Sequence, residues 1–157
     1  MTKIHVSEDR KIGAPAEAVY SYIADHEQHQ RFLPPAFSDF EIESGGVSAG
    51  TVTTFKVKAG GATRAFRMRV AEPEPGSVLT ESDTKTDLVT RWTVTPKGGG
   101  CKVEISTSWE ADGVVGFFER LLAPRPMRRI YAEELQLLDA SRASVSRATR
   151  TPSAAAM

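Results

Sequence analysis

Cys101-Lys102-Val103-Glu104-Ile105-Ser106-Thr107-Ser108-Trp109-Glu110 alternates along its whole length. Successive side chains of a strand point to opposite faces. Cys101, Val103, Ile105, Thr107 and Trp109 therefore share one face, and Lys102, Glu104, Ser106, Ser108 and Glu110 the other. Phe66, Met68 and Val70 oppose Arg67 and Arg69 in the same way, so at least two strands belong to a sheet that is dry on one side. A dry face needs a cover, and only the C-terminal region offers one. Val114, Phe117, Phe118, Leu121 and Leu122, then Met127, Ile130, Tyr131, Leu135 and Leu138, recur at three- and four-residue intervals, the stripe of a long amphipathic helix. Pro124 and Pro126 lack an N–H and clash with the preceding turn, which predicts a short lead-in and a main helix starting near Pro126.

Working back from that strand, residues from Phe37 onward form short runs rich in Val, Thr, Phe and Trp. They are punctuated by Ser44-Gly45-Gly46, Gly60-Gly61, Glu74-Pro75-Gly76, Thr84-Lys85-Thr86-Asp87 and Gly98-Gly99-Gly100. These separators delimit six strands, and each link is too short for a crossover helix, so neighbours in sequence pair antiparallel as a meander. Ile4 and Val6 alternate ahead of Glu8, Asp9 and Arg10, which makes Lys3 to Ile12 a seventh strand, at an edge. Between it and the meander, Pro15 and Glu17 suit the first turn of a helix. Asp25 with Gln28 resembles a capping box opening a second short helix, which Pro34-Pro35 ends.

The chain has 157 residues, 40% hydrophobic and 25% charged, as expected of one globular domain. We assign 1–145 to that domain and read 146–157, rich in Ser, Arg, Thr and Ala, as a flexible tail. Twenty basic residues balance twenty acidic ones, which argues against nucleic acid as a partner. No apolar run is long enough to span a bilayer, so stable membrane insertion is not expected. A lone Cys101 and the lack of a signal-peptide pattern point to a cytoplasmic protein.

One strand, two short helices, six antiparallel strands and a long apolar helix is an order of elements similar to that of the START-like, Bet v 1-like superfamily. The chain resembles its bacterial polyketide cyclase/dehydrase and lipid-transport branch. The residues that carry the likeness are Ile12-Gly13-Ala14-Pro15-Ala16-Glu17-Ala18-Val19-Tyr20 running into Ile23-Ala24-Asp25, then Phe32-Leu33-Pro34, Glu72-Pro73-Glu74-Pro75-Gly76 and Phe117-Phe118-Glu119-Arg120-Leu121-Leu122. The resemblance implies an α+β helix-grip fold, a seven-stranded curved antiparallel sheet around the C-terminal helix. It also implies a gap between sheet and helix that holds a small hydrophobic ligand, in pockets that commonly measure ~300–1,000 Å³. No cofactor is implied.

Aromatic side chains on separate elements should converge there. Candidate ligand contacts are Phe32, Phe55, Phe66, Trp92, Trp109, Phe117, Leu121 and Tyr131, with Trp109 and Phe117 flanking the junction of last strand and helix. The parity of Trp92 is open, because Arg91 and Thr93 could equally be the inward set. Arg64 shares the parity of Phe66, so it meets a carboxylate, meets a polar group of the ligand, or reaches solvent past the rim. His26 and His29 stand one turn apart but lack further convergent ligands, so they read as a solvated helix surface and no metal is expected. The motifs of a serine nucleophile and a phosphate loop are absent. A carrier or sequestering role for a polyketide, lipid or isoprenoid-like molecule is the first expectation. The second is an aromatase/cyclase using Tyr131, Glu134 or Asp112 as acid or base, and the third an adaptor of the co-chaperone type. Either a monomer or a homodimer fits these readings.

Overall fold

A computed structural model describes residues 3–59, 61–110 and 124–141. Seven strands form one antiparallel sheet: β1 (Lys3–Ile12), β2 (Phe37–Ser44), β3 (Val52–Ala59), β4 (Ala62–Glu74), β5 (Val78–Asp83), β6 (Val89–Lys97) and β7 (Gly100–Glu110). Their order across the sheet is β1-β7-β6-β5-β4-β3-β2, so β2 to β7 are the expected meander and β1 is an edge. Strands β1 and β2 adjoin in sequence yet lie at opposite edges. The chain between them must therefore cross the sheet, and it does so as α1 (Ala16–Ala24), α2 (His26–His29) and a 3₁₀ turn (Gln30–Phe32).

Local chemistry sets these elements. Pro15 caps α1 from just outside, one position earlier than expected, with its carbonyl accepting from the Val19 N–H at 3.0 Å. Asp25 caps α2 by accepting from the Glu27 N–H at 3.1 Å, while its own carbonyl accepts from Gln28 and His29. The Tyr20 hydroxyl donates to Glu72 at 2.6 Å, and the other Glu72 oxygen accepts from the Ala49 N–H at 3.1 Å, which ties α1 to β4. Pairing of β1 with β7 places Ile12 opposite Cys101. A Cβ on the adjacent Gly100 would sit 2.3 Å from the Ile12 carbonyl oxygen, so this close approach requires glycine.

Helix α3 (Pro124–Ala140) starts at Pro124, two residues ahead of the expected point, and packs along β1, where Arg10 Nε donates to Asp139 at 2.9 Å. Met127, Ile130, Tyr131, Leu135 and Leu138 are buried as the stripe requires. They meet the dry faces of the strands, including Val103, Ile105 and Trp109 of β7 and Phe66, Met68 and Val70 of β4. On β6, Thr90, Trp92 and Val94 are buried while Arg91 is exposed, which settles the parity of that strand: Trp92 points inward. The candidate Asp112, the expected lead-in helix with Phe117 and Leu121, and the expected tail from 146 lie outside the described residues.

Candidate functional site

Sheet, α2 and α3 enclose a cavity with two unlike ends. One end is apolar: Phe37 and Phe40 of β2, Phe55 and Val57 of β3, and Phe66 and Met68 of β4. Residues 37 and 40 would face opposite ways on a regular strand. Here the pairing with β3 slips between Ser38 and Glu41, with Asp39 at φ 53°, and this bulge turns both rings toward the cavity. Phe55 stacks between Phe66 and Phe40, with centroids 5.7 and 6.4 Å away.

The other end is buried and polar. Helix α2 presents His26 and His29, β5 presents Glu81, β6 Thr90 and Trp92, β7 Thr107, and α3 Tyr131 and Glu134. The two histidines are 1% and 3% exposed, which corrects their reading as a solvated surface. The reason is that α2 crosses beneath the sheet. The His26 and His29 rings stack in parallel at 5.3 Å, and His29 also stacks on Phe32 at 4.5 Å and meets Trp92 edge-on at 5.2 Å. Tyr22, His26, His29 and Leu33 fall on three separate elements, α1, α2 and the end of the 3₁₀ turn, so no single helical stripe signalled their burial.

Most polar groups at this end are bonded to one another. Trp92 Nε1 donates to Glu81 at 2.7 Å. The Thr90 and Thr107 hydroxyls are 2.8 Å apart, and the Tyr131 hydroxyl is hydrogen-bonded to that of Thr107. Burial pushes the Tyr131 phenol well above its ordinary value, so it stays protonated. His29 Nδ1 lies 2.9 Å from the Ile23 carbonyl, which can only accept, so Nδ1 carries a proton. Its Nε2 faces Glu134 at 3.5 Å.

Burial alone would lower the His29 value, but bonding to Glu134 and the nearby Glu81 reverse it and leave it raised. Glu134 is raised too, because burial outweighs the pull of His29. An imidazolium beside it would by itself lower Glu134, and burial is the larger influence. His26 is lowered by burial and by His29, and is therefore neutral. The Ala24 and Gly46 carbonyls lie near enough to favour its protonated form, yet neither His26 ring nitrogen has a partner in bonding geometry.

Of the candidate ligand contacts, Phe55, Phe66, Trp92 and Tyr131 line the cavity, as does Glu134. Phe32 lies behind the wall, stacked on His29 and Tyr22, and Trp109 is buried in the core away from the cavity. Arg64 is outside the cavity wall, only 15% exposed at its side chain. Its Nη2 donates to Asp83 at 3.0 Å and its guanidinium lies 4.6 Å over the Phe66 ring, so the first of the three open outcomes, a carboxylate partner, is the one observed. Among the described residues no cluster of side chains fits a metal ion and no helix is long and apolar enough to cross a membrane. The centre of a water molecule can range over about 60 Å³ in the cavity. One water needs ~10–15 Å³ on that measure, so this space is smaller than expected. The space between the described walls takes a compact group as it stands.

The family described as "Polyketide cyclase / dehydrase and lipid transport" matches residues 3–141. The chain belongs to this family. Its fold recurs in solved structures. The KanY protein (ms6282), determined by NMR, is 31% identical over 93% of this chain and 99% of its own, with a TM-score of 0.79. TTHA0849 from Thermus thermophilus is 21% identical over 91% of this chain and 99% of its own, at a TM-score of 0.75. The Zhui aromatase/cyclase from Streptomyces sp. R1128 is 18% identical over 95% of each chain, at 0.68. At such identities the last two speak for the helix-grip fold alone. No functionally curated protein matches the chain. Membership of the family points to hydrophobic ligand binding or a polyketide-cyclase role.

Proposed function

We propose that this chain is a binding protein, a carrier or sequestering module for a small hydrophobic or amphipathic molecule of polyketide, lipid or isoprenoid type. The observation that carries this reading is the mutual pairing of the polar cavity groups. Trp92 with Glu81, Tyr131 and Thr90 with Thr107, and His29 with Ile23 and Glu134 tie up these groups among themselves, and the one described polar side chain of the lining left unpartnered, His26, is less than the acid and base pair that ring closure uses. The apolar end then supplies affinity, at ~25 cal/mol per Å² removed from water. Native mass spectrometry of the freshly purified protein, followed by solvent extraction, tests it. A discrete apolar adduct near one per chain is expected. A bare mass that persists when candidate apolar compounds are added in excess would overturn the proposal.

One observation favours a second reading, a cyclase. The His29–Glu134 pair lies one ring stack from the unpartnered His26. A ketone substrate could lose an α-proton to His26, close a carbon–carbon bond on a second carbonyl whose oxygen takes up a proton, and then lose water. Under this reading Glu134→Gln abolishes turnover of a keto substrate and preserves its affinity. Under the carrier reading no turnover is seen with either protein.

A further inference from the structure

His26 is an imidazole in the cavity wall, 1% exposed, with both ring nitrogens outside bonding geometry of any protein group. A buried polar group without a partner costs ~1–3 kcal/mol, and such a group at the edge of a cavity marks where something else completes its bonding. Water or a ligand atom entering the cavity can do so. The neighbours restrict which ligand atom fits. Both of the other N–H donors whose protons are placed at this end are engaged, Trp92 Nε1 with Glu81 and His29 Nδ1 with the Ile23 carbonyl, and the Thr90, Thr107 and Tyr131 hydroxyls are bonded to one another. Glu81 and Glu134 are both in the wall, and among the described residues the cavity lining contains no lysine or arginine.

We propose that His26 is the polar docking point of the cavity and that it selects an uncharged, hydroxyl- or keto-bearing ligand over a carboxylate of the same skeleton. This rests on the reading of the cavity as a ligand site and names the class of molecule it takes. An imidazole with one N–H and one bare nitrogen offers a donor and an acceptor together. A hydroxyl uses both and a ketone uses the donor. A carboxylate finds one N–H, meets the carboxyl groups of Glu81 and Glu134, and loses its hydration with no fixed cation in return.

The test is fluorescence titration of the full chain with 2-naphthol, 2-naphthoic acid and naphthalene at neutral pH, where the acid is a carboxylate. The naphthol should bind about tenfold tighter than naphthalene, the effect of one to two net hydrogen bonds, and tighter still than the naphthoate. In His26→Phe, which keeps a ring to stack on His29, the naphthol should lose its preference over naphthalene. His26→Gln, which retains a donor and an acceptor, should restore the preference. Naphthoate binding as well as naphthol overturns the proposal while leaving the ligand site standing, and so does a naphthol preference that survives His26→Phe. Should His26→Phe not fold, the wild-type ratio of naphthol to naphthoate decides alone. If none of the three probes binds, the ligand-site reading falls, and this inference falls with it.

Discussion

The two ends of the cavity are built on opposite principles. At the β2–β4 end, Phe37, Phe40, Phe55, Phe66 and Met68 meet through dispersion and apolar burial, forces without direction that allow repacking. At the α2–β5–α3 end, His29, Glu81, Glu134, Trp92 and Tyr131 meet through hydrogen bonds whose angles and partners are fixed. The first end can adapt to a guest. The second holds three elements in place, and a change there leaves a buried group unsatisfied. The cavity therefore has one compliant wall and one rigid one.

That contrast can be broken most forcefully at Glu134. Glu134→Ala strands His29 in a dry site and should cost about 3–5 kcal/mol, as is usual when one partner of a buried pair is removed. Met68→Leu at the compliant end should cost less than about 1.5 kcal/mol. Urea denaturation of both variants measures the difference, and equal losses would mean that the two ends are not mechanically distinct. A finer cut is Trp92→Phe, which preserves most of the apolar ring and removes the Nε1 donor to Glu81. A loss of about 1.5–3 kcal/mol is expected for a buried bond to a carboxyl; a loss below about 0.5 kcal/mol would show that Glu81 finds another partner.

The smallest expected effect is on pH dependence. His29 and Glu134 have folded values above their ordinary 6.5 and 4.5. The native chain thus holds these protons more tightly than the unfolded chain, and the stability they contribute is present below the ordinary values and lost as pH rises through the folded ones. The slope is at most about 1.4 kcal/mol per pH unit for each proton. His26 has the opposite sign, since its lowered value makes its contribution full above 6.5 and lost as pH falls. Urea midpoints should decline from about pH 6.5 upward, and Glu134→Gln should flatten that decline. An unchanged decline in Glu134→Gln would place its origin elsewhere.

Periodicity was sufficient for the frame. The alternation of Cys101 to Glu110, the stripe from Met127 to Leu138 and the glycine-rich turns foretold the seven strands, their antiparallel pairing and the covering helix, because burial of one face imposes a period that composition cannot hide. Phe66 and Tyr131 were legible as inward residues for the same reason, whereas the parity of Trp92 was open until the structure placed it. Three features of the site were not. Phe40 faces the cavity because of a bulge at Asp39, and a one-residue slip reverses the parity of everything beyond it. His26 and His29 look like surface residues on a four-residue helix until the crossing of the chain from one sheet edge to the other buries them. Glu81 follows Leu79 on the inward parity, where an acid marks a wet strand end unless a Trp92 on the next strand is there to bond it.

By itself, then, the sequence determined which elements form, how they pair and that a dry face must be covered, since these depend on the spacing of apolar residues along a chain whose periods are set by backbone geometry. Only the tertiary structure decided which polar side chains are brought together in the interior. His29 meets Glu134 across 105 positions of chain, and Trp92 meets Glu81 across 11. No local pattern encodes such meetings, because a hydrogen bond between distant residues depends on where separate elements stop and cross, and those positions are settled by packing of the whole.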